Sequence, residues 1–301
     1  MKPAARGVLA FLLISFGLAW GTIAVARIVP GMSLVNPLVQ VPIAFSPAIA
    51  ALVVRRWVTR EGFGDSGIRP RLRAAARHYL LAWAGPVLVL AATVGLAAGF
   101  GLYHLDLTRL RQALPGTGPA EPAALLLALA APLLLAPVFW GEEFGWRAYL
   151  QRRVGGGPLR AALVTGVIWS VWHYPLVLTD YSSYGNPLAG IGTWTLLMVA
   201  QSVILAWLFL RSGSIWVPCV AHAGNNMIIS GLSAPLLVEG AGLDPSVVDL
   251  VALIPLGAIC AWILLSGRLR SVPDAGPAGP GADKPAADGP KRIVSPSPMV
   301  D

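Results

Sequence analysis

What this sequence has least of is charge. Only 12% of its 301 residues are Asp, Glu, Lys or Arg, while 56% are hydrophobic and the mean hydropathy is +0.69. A soluble domain carries about 25% charged residues. A chain with so few cannot cover a water-facing surface, which excludes the soluble enzyme classes and places the protein in a bilayer. Cysteine is scarce as well: Cys219 and Cys260 both lie in apolar runs, form no disulfide framework and read as small buried hydrophobes. There are four histidines and three lysines. The sequence has no His-Glu-x-x-His run, the strongest short signature of a zinc protease. It also shows no internal repeat and no soluble domain of useful size.

A spanning helix needs about 20 apolar residues, and the sequence supplies eight such stretches, at about 8–28, 38–58, 78–103, 122–141, 158–178, 193–211, 214–233 and 247–266. The first follows Lys2 and Arg6 as a signal peptide would. It runs on to about Val29 without a small-residue cleavage site, so it reads as a retained helix. Only Arg211-Ser212-Gly213-Ser214 separates the sixth stretch from the seventh, which predicts a tight helical hairpin. The expected fold is all-α: a polytopic membrane bundle of about eight transmembrane helices over residues 1–270. With the N-terminus inside, 19 of the 22 Lys and Arg fall on the cytoplasmic side and only Arg27, Arg109 and Arg111 fall outside, which predicts that both termini are cytoplasmic.

The same distribution removes nucleic acid as a partner despite the net charge of +8, because topology accounts for arginines between spans. The basic segment 55–77 either sets topology alone or also lies on anionic lipid of the inner leaflet. Residues 105–122 read as an external loop, and residues 271–301, rich in Pro, Ala, Gly and Asp, as a disordered cytoplasmic tail. High Gly, Ala, Arg and Pro with little Lys fits a GC-rich bacterial genome, hence a bacterial plasma (inner) membrane.

Against this background, Gly141-Glu142-Glu143-Phe144-Gly145-Trp146-Arg147 stands out, with three ionisable groups in six residues directly after an apolar run. Such groups at or inside the membrane boundary are costly and need partners or a task. On a helix Glu143 and Arg147 share a face, while Glu142 and Glu143 diverge by about 100°. Glu143 is thus the expected ion-pair partner of Arg147, and Glu142 is left to work as a general base, unless both carboxylates merely end a helix at the interface. Two of the four histidines lie in apolar sequence. His173 follows Trp169 by one turn, just before Pro175; His222 and Asn226 are four apart in the seventh stretch. A carboxylate, two imidazoles and an amide can perform hydrolysis: Glu142 deprotonates water, His173 orients it or passes the proton on, and His222 and Asn226 donate to the oxyanion. The set Glu142, His173 and His222 could equally hold a catalytic zinc, with Asn226 behind it.

Glu142-Glu143-x-x-x-Arg147, then an aromatic one turn before a histidine (Trp169, His173), then His222-x-x-x-Asn226, in this order on successive helices, resembles the CPBP family of intramembrane proteases. That family includes the type II CAAX prenyl endopeptidases and bacteriocin-processing or self-immunity proteins. The resemblance covers about Leu125 to Leu232. It implies an eight-helix bundle with a water-filled cavity, Glu142 as activator of water, His173 as its partner, His222 and Asn226 as the oxyanion site, and Glu143 and Arg147 as supporting residues. Trp169 stands where the family often has Phe, a larger ring that should still pack. The substrate implied is a membrane-associated peptide or protein, with no bound metal needed for acid, base and oxyanion roles. Two other classes share the fold: a non-enzymatic immunity or scaffold protein, and a proton-coupled transporter that would relay protons through Glu142 and the histidines. The absence of an inverted repeat argues against the transporter.

Overall fold

The computed structural model describes residues 3–104, 121–179 and 181–269, and every regular element among them is helical. The predicted tail and most of the predicted external loop lie outside these residues. The eight apolar stretches each form a helix: α1 (Pro3–Ile28), α2 (Pro37–Val53), α3 (Ala76–Gly99), α4 (Glu121–Glu143), α5 (Pro158–Val177), α6 (Pro187–Ser212), α7 (Trp216–Gly224) and α8 (Pro245–Leu265). Among the described residues, six helical segments are long and apolar enough to cross a membrane: Ala4–Ile28, Pro37–Val58, Ala76–Gly99, Leu126–Gln151, Pro187–Ser212 and Pro245–Leu265. The protein is an all-α polytopic membrane protein. Its outer surface agrees, since Leu13, Leu38, Leu80, Leu88, Leu134, Leu188 and Leu265 are all exposed, which water would penalise and lipid accepts.

Local chemistry sets the helix starts. Proline occupies the first helical position of α2, α5, α6 and α8, where its missing N–H costs nothing. Asn36, Asn186 and Asp244 cap three of these helices, each accepting a backbone N–H with its side-chain oxygen. Gly213, at φ 62°, closes α6 in the left-handed conformation and turns the chain into α7, giving the tight hairpin expected there.

Among the described residues, four segments are wound as π-helix: Val54–Val58, Phe144–Gln151, Asn225–Ser230 and Ala234–Glu239. Two of them follow directly on sequence singled out above. The first departure from the sequence reading concerns α4. The helical stretch does not end near residue 141; it continues through the π-wound Phe144–Gln151, all eight residues of which are buried. Glu142 and Glu143 therefore lie within the continuous helical segment Leu126–Gln151 and not at its end. Gly141 and Gly145, which look like helix breakers, are instead points of close approach to α2. A Cβ at Gly141 would sit 2.6 Å from the Ala44 carbonyl oxygen, and one at Gly145 would run into Pro47. This small-xxx-small face lets α2 and α4 pack backbone to backbone. In the bundle α4 also packs on α7, α5 on α6, α3 on α7, and α8 on α6 and α3.

On the side where the sequence reading places the cytoplasm, Arg55 is buried in the π-wound segment that follows α2. It binds Asp65 (2.8 and 3.2 Å) and the Ala148 carbonyl (3.0 Å), while Arg153 pairs with Glu61. These bonds tie the loop after α2 to the end of the extended α4.

Candidate active site

Glu142, Glu143 and Arg147 come from α4 and its π-wound continuation, His173 from α5 and His222 from α7. Glu143 and Arg147 are fully buried, and Glu142 (6% exposed) and His222 (2%) nearly so. Charges at this depth survive only with partners. Arg147 Nε donates to Glu143 Oε2 at 3.1 Å, the pairing that helical spacing predicts. Arg147 Nη1 donates to Ser202 Oγ (2.9 Å), and that hydroxyl donates on to the Ala162 carbonyl (2.7 Å), linking α4 to α6 and α5. Arg147 Nη2 has no hydrogen-bond partner among the described residues. The other oxygen of Glu143, Oε1, lies 2.9 Å from His222 Nδ1. Glu143 thus bridges an arginine and a histidine, and Glu142 is left outside this network.

Glu142 is held differently. Its Oε2 accepts from the indole N–H of Trp169 at 2.7 Å. The backbone carbonyl of the same tryptophan lies 2.9 Å from His173 Nδ1. The Trp169 ring meets His222 edge-on at 5.0 Å and His173 at 5.6 Å, with the Arg147 guanidinium 5.0 Å from its centroid. Around this centre pack Phe139 against His222 (4.7 Å) and Trp172 and Trp194 against His173 (4.6 and 5.5 Å).

The hydrogen bonds fix both imidazole tautomers. A carbonyl can only accept, so His173 Nδ1 carries its proton, and the neutral ring keeps its lone pair on Nε2. A carboxylate paired with a guanidinium also accepts, so His222 donates from Nδ1 to Glu143. His222 Nε2 is then an acceptor in the neutral ring and a donor only in the imidazolium. Each histidine thus presents Nε2 for chemistry, with Nδ1 anchored to the protein.

Asn226 is the residue that the structure does not draw into this cluster. It lies in the π-wound segment Asn225–Ser230, its side chain is exposed, and among the described residues no hydrogen bond joins it to Glu142, His173 or His222. Its neighbour Asn225 is the buried one.

The sequence reading treated Trp169 as packing and missed its N–H. It also missed Ser202 and the glycine pair at 141 and 145. The glycine spacing was visible as small-xxx-small, whereas Ser202 carries no signal in the sequence. Metal-ligating histidines commonly anchor their second nitrogen to a carboxylate or carbonyl, as both do here. Yet among the described residues no group of three or more His, Cys, Asp or Glu side chains is assembled to hold an ion.

Residues 122–228, which contain all of these groups, match the family described as type II CAAX prenyl endopeptidase, Rce1-like. The chain is also similar to a protein named CAAX prenyl protease 2 from Methanococcus maripaludis, with 33% identity over 89 residues. That alignment covers 27% of this chain and 31% of the relative, so it spans about a third of the relative's length. The family match thus falls on the segment of the chain that carries the candidate site.

Proposed function

We propose that the protein is an intramembrane endopeptidase that hydrolyses a peptide bond of a membrane-associated peptide or protein. The observation that carries the reading is the division of labour between adjacent carboxylates. Glu143 is consumed by Arg147 and His222, whereas Glu142 has Oε2 on Trp169 and Oε1 with no protein partner among the described residues. In the proposed reaction Oε1 takes a proton from water, and the hydroxide adds to the scissile carbonyl. The oxyanion accepts from Nε2 of His222 when both ring nitrogens carry a proton, with Asn226 as a further donor. His173 Nε2 accepts the proton from Glu142 and delivers it to the leaving amine, so no net proton is gained or lost.

The topology that suits this reading has eight spans with both termini in the cytoplasm of a cell bounded by this plasma membrane. The basic 55–77 segment then lies along anionic lipid beside the site. The name of the archaeal relative makes prenylated peptides one substrate arm, and unprenylated, membrane-tethered peptides the other. A zinc-dependent form of the same protease is the second reading, favoured by the anchored Nδ1 atoms of both histidines.

Purified protein in lipid nanodiscs, given a library of prenylated and otherwise tethered peptides, tests the proposal. Cleavage by the wild type that is lost in Glu142→Gln, His173→Ala and His222→Ala supports it. Undiminished cleavage by all three variants, or no cleavage across a broad library, sinks it. Activity that persists after exhaustive chelation supports the metal-free reading; loss restored by zinc supports the second.

A further inference from the structure

Trp169 occupies a position for which an aromatic ring is enough to fill space, yet it makes two polar bonds to the two groups proposed to move protons. Its indole N–H binds Glu142 Oε2 and its carbonyl binds His173 Nδ1. We infer that Trp169 is a positioning residue of the active site: its indole N–H locks the Glu142 carboxylate so that Oε1 alone faces the water, in register with the tautomer its carbonyl imposes on His173. The inference rests on the protease reading for its kinetic consequence, but the hydrogen bond itself can be tested without it.

First, the bond is charge-assisted, short and buried, with Trp169 1% exposed, so water cannot replace the indole as donor without opening the packing around it. Second, the ring cannot swing away. It is fixed edge-on between His222 and His173 and lies beside the Arg147 guanidinium, and a donor on a fixed ring fixes what it binds. Third, the contrast with the other tryptophans is direct. Trp20, Trp83, Trp172 and Trp216 donate their indole N–H to backbone carbonyls, and Trp140, Trp146, Trp194 and Trp207 are indoles whose buried N–H has no partner among the described residues. An indole N–H that does find a carboxylate in this bundle is therefore not a consequence of burial alone. Phenylalanine at 169 would keep the ring contacts and the backbone carbonyl, and so the His173 tautomer, while releasing Glu142 to rotate.

The inference separates two roles that one side chain could play. A filler affects folding; a positioning residue affects turnover. Trp169→Phe removes the N–H but also shrinks the ring, so a second variant carries 3-benzothienylalanine at 169, in which sulfur replaces the N–H and the bicyclic shape is kept. Both variants are expected to lose about 10- to 100-fold in kcat, the effect of removing one hydrogen bond to a charged group, with KM within about twofold and little change in melting temperature. Trp207→Phe, which deletes an unpartnered buried indole N–H on α6, is expected to cleave like wild type. Full wild-type kcat in the benzothienyl variant overturns the inference, and a KM rise without a fall in kcat does so too. Failure of the wild type to cleave anything sinks the protease reading instead. In that case infrared difference spectra decide the positioning claim. The Glu142 carboxylate stretch, identified by its disappearance in Glu142→Gln, should shift in the benzothienyl variant; an unmoved band overturns the claim.

Discussion

Two carboxylate sites inside the helices can be set side by side. At one, Glu142 and Glu143 of α4 meet two histidines, an arginine and a tryptophan. At the other, Asp249 of α8 accepts from Tyr184 Oη (2.7 Å) and Thr193 Oγ1 (3.0 Å) on the same oxygen, Oδ2. Both lie in segments where a carboxylate is expensive. The difference is in what surrounds them. The hydroxyls at Asp249 solvate a carboxylate and staple the segment before α6, and α6 itself, to α8. They are poor acceptors of a proton, and no imidazole hydrogen-bonds to Asp249 among the described residues. At α4 the hydrogen bonds leave Glu142 Oε1 and two imidazole Nε2 atoms uncommitted. A hydrogen-bonded acid within a helix is thus shared by a structural and a reactive site; what distinguishes them is the presence of unspent donors and acceptors, among the described residues, on groups that exchange protons.

Substitutions should separate the two sites. The largest effect is expected from Glu142→Gln, with cleavage reduced by at least about 10³-fold and little loss of thermal stability. His222→Ala should cost about 10²- to 10³-fold as an oxyanion donor is lost, and Asn226→Ala clearly less, since Asn226 is exposed; steady-state kinetics on a tethered peptide measures both. Arg147→Ala strands the Glu143 carboxylate, and a destabilisation of about 3–5 kcal/mol should appear in denaturation along with lost activity. Asp249→Ala should lower stability by about 1–3 kcal/mol by orphaning two hydroxyls while kcat stays near wild type. A catalytic defect at folded Asp249→Ala would break the comparison.

The smallest effect concerns pH. Burial acts to raise the Asp65 carboxyl, but the hydrogen bond and charge of Arg55 outweigh it and hold it below the usual carboxylate range. Its stabilisation of the loop after α2 is therefore complete above the unfolded value of about 3.9 and is lost as pH falls through the lower folded value. Protease nicking of that loop should stay constant from pH 7 to about 5 in the wild type, and should rise at neutral pH in Asp65→Asn.

The sequence made the helices legible because apolar length, proline at helix starts and Asx caps are local signals. It also made Glu143–Arg147 legible, because that pair lies on one helix. What it hid were relations between helices. Gly141 and the charges after it look like a helix end, since nothing local reveals that His222, Trp169 and Ser202 will satisfy those charges, or that α2 will lie against Gly141 and Gly145. Asp249 passed unnoticed within an apolar stretch because its hydroxyl partners sit about 60 residues away in sequence. For Asn226 the four-residue spacing from His222 was visible, but its side chain is exposed and no hydrogen bond joins it to the cluster among the described residues. The indole N–H of Trp169 matters only because Glu142 lies across the helix interface.

The most direct measurement compares wild type, Glu142→Gln and Asp249→Asn in identical nanodiscs, after exhaustive chelation, by mass spectrometry of a tethered peptide library. The account predicts the same cleavage products from wild type and Asp249→Asn and none from Glu142→Gln, with all three proteins equally folded. Cleavage by Glu142→Gln at the wild-type rate would contradict it.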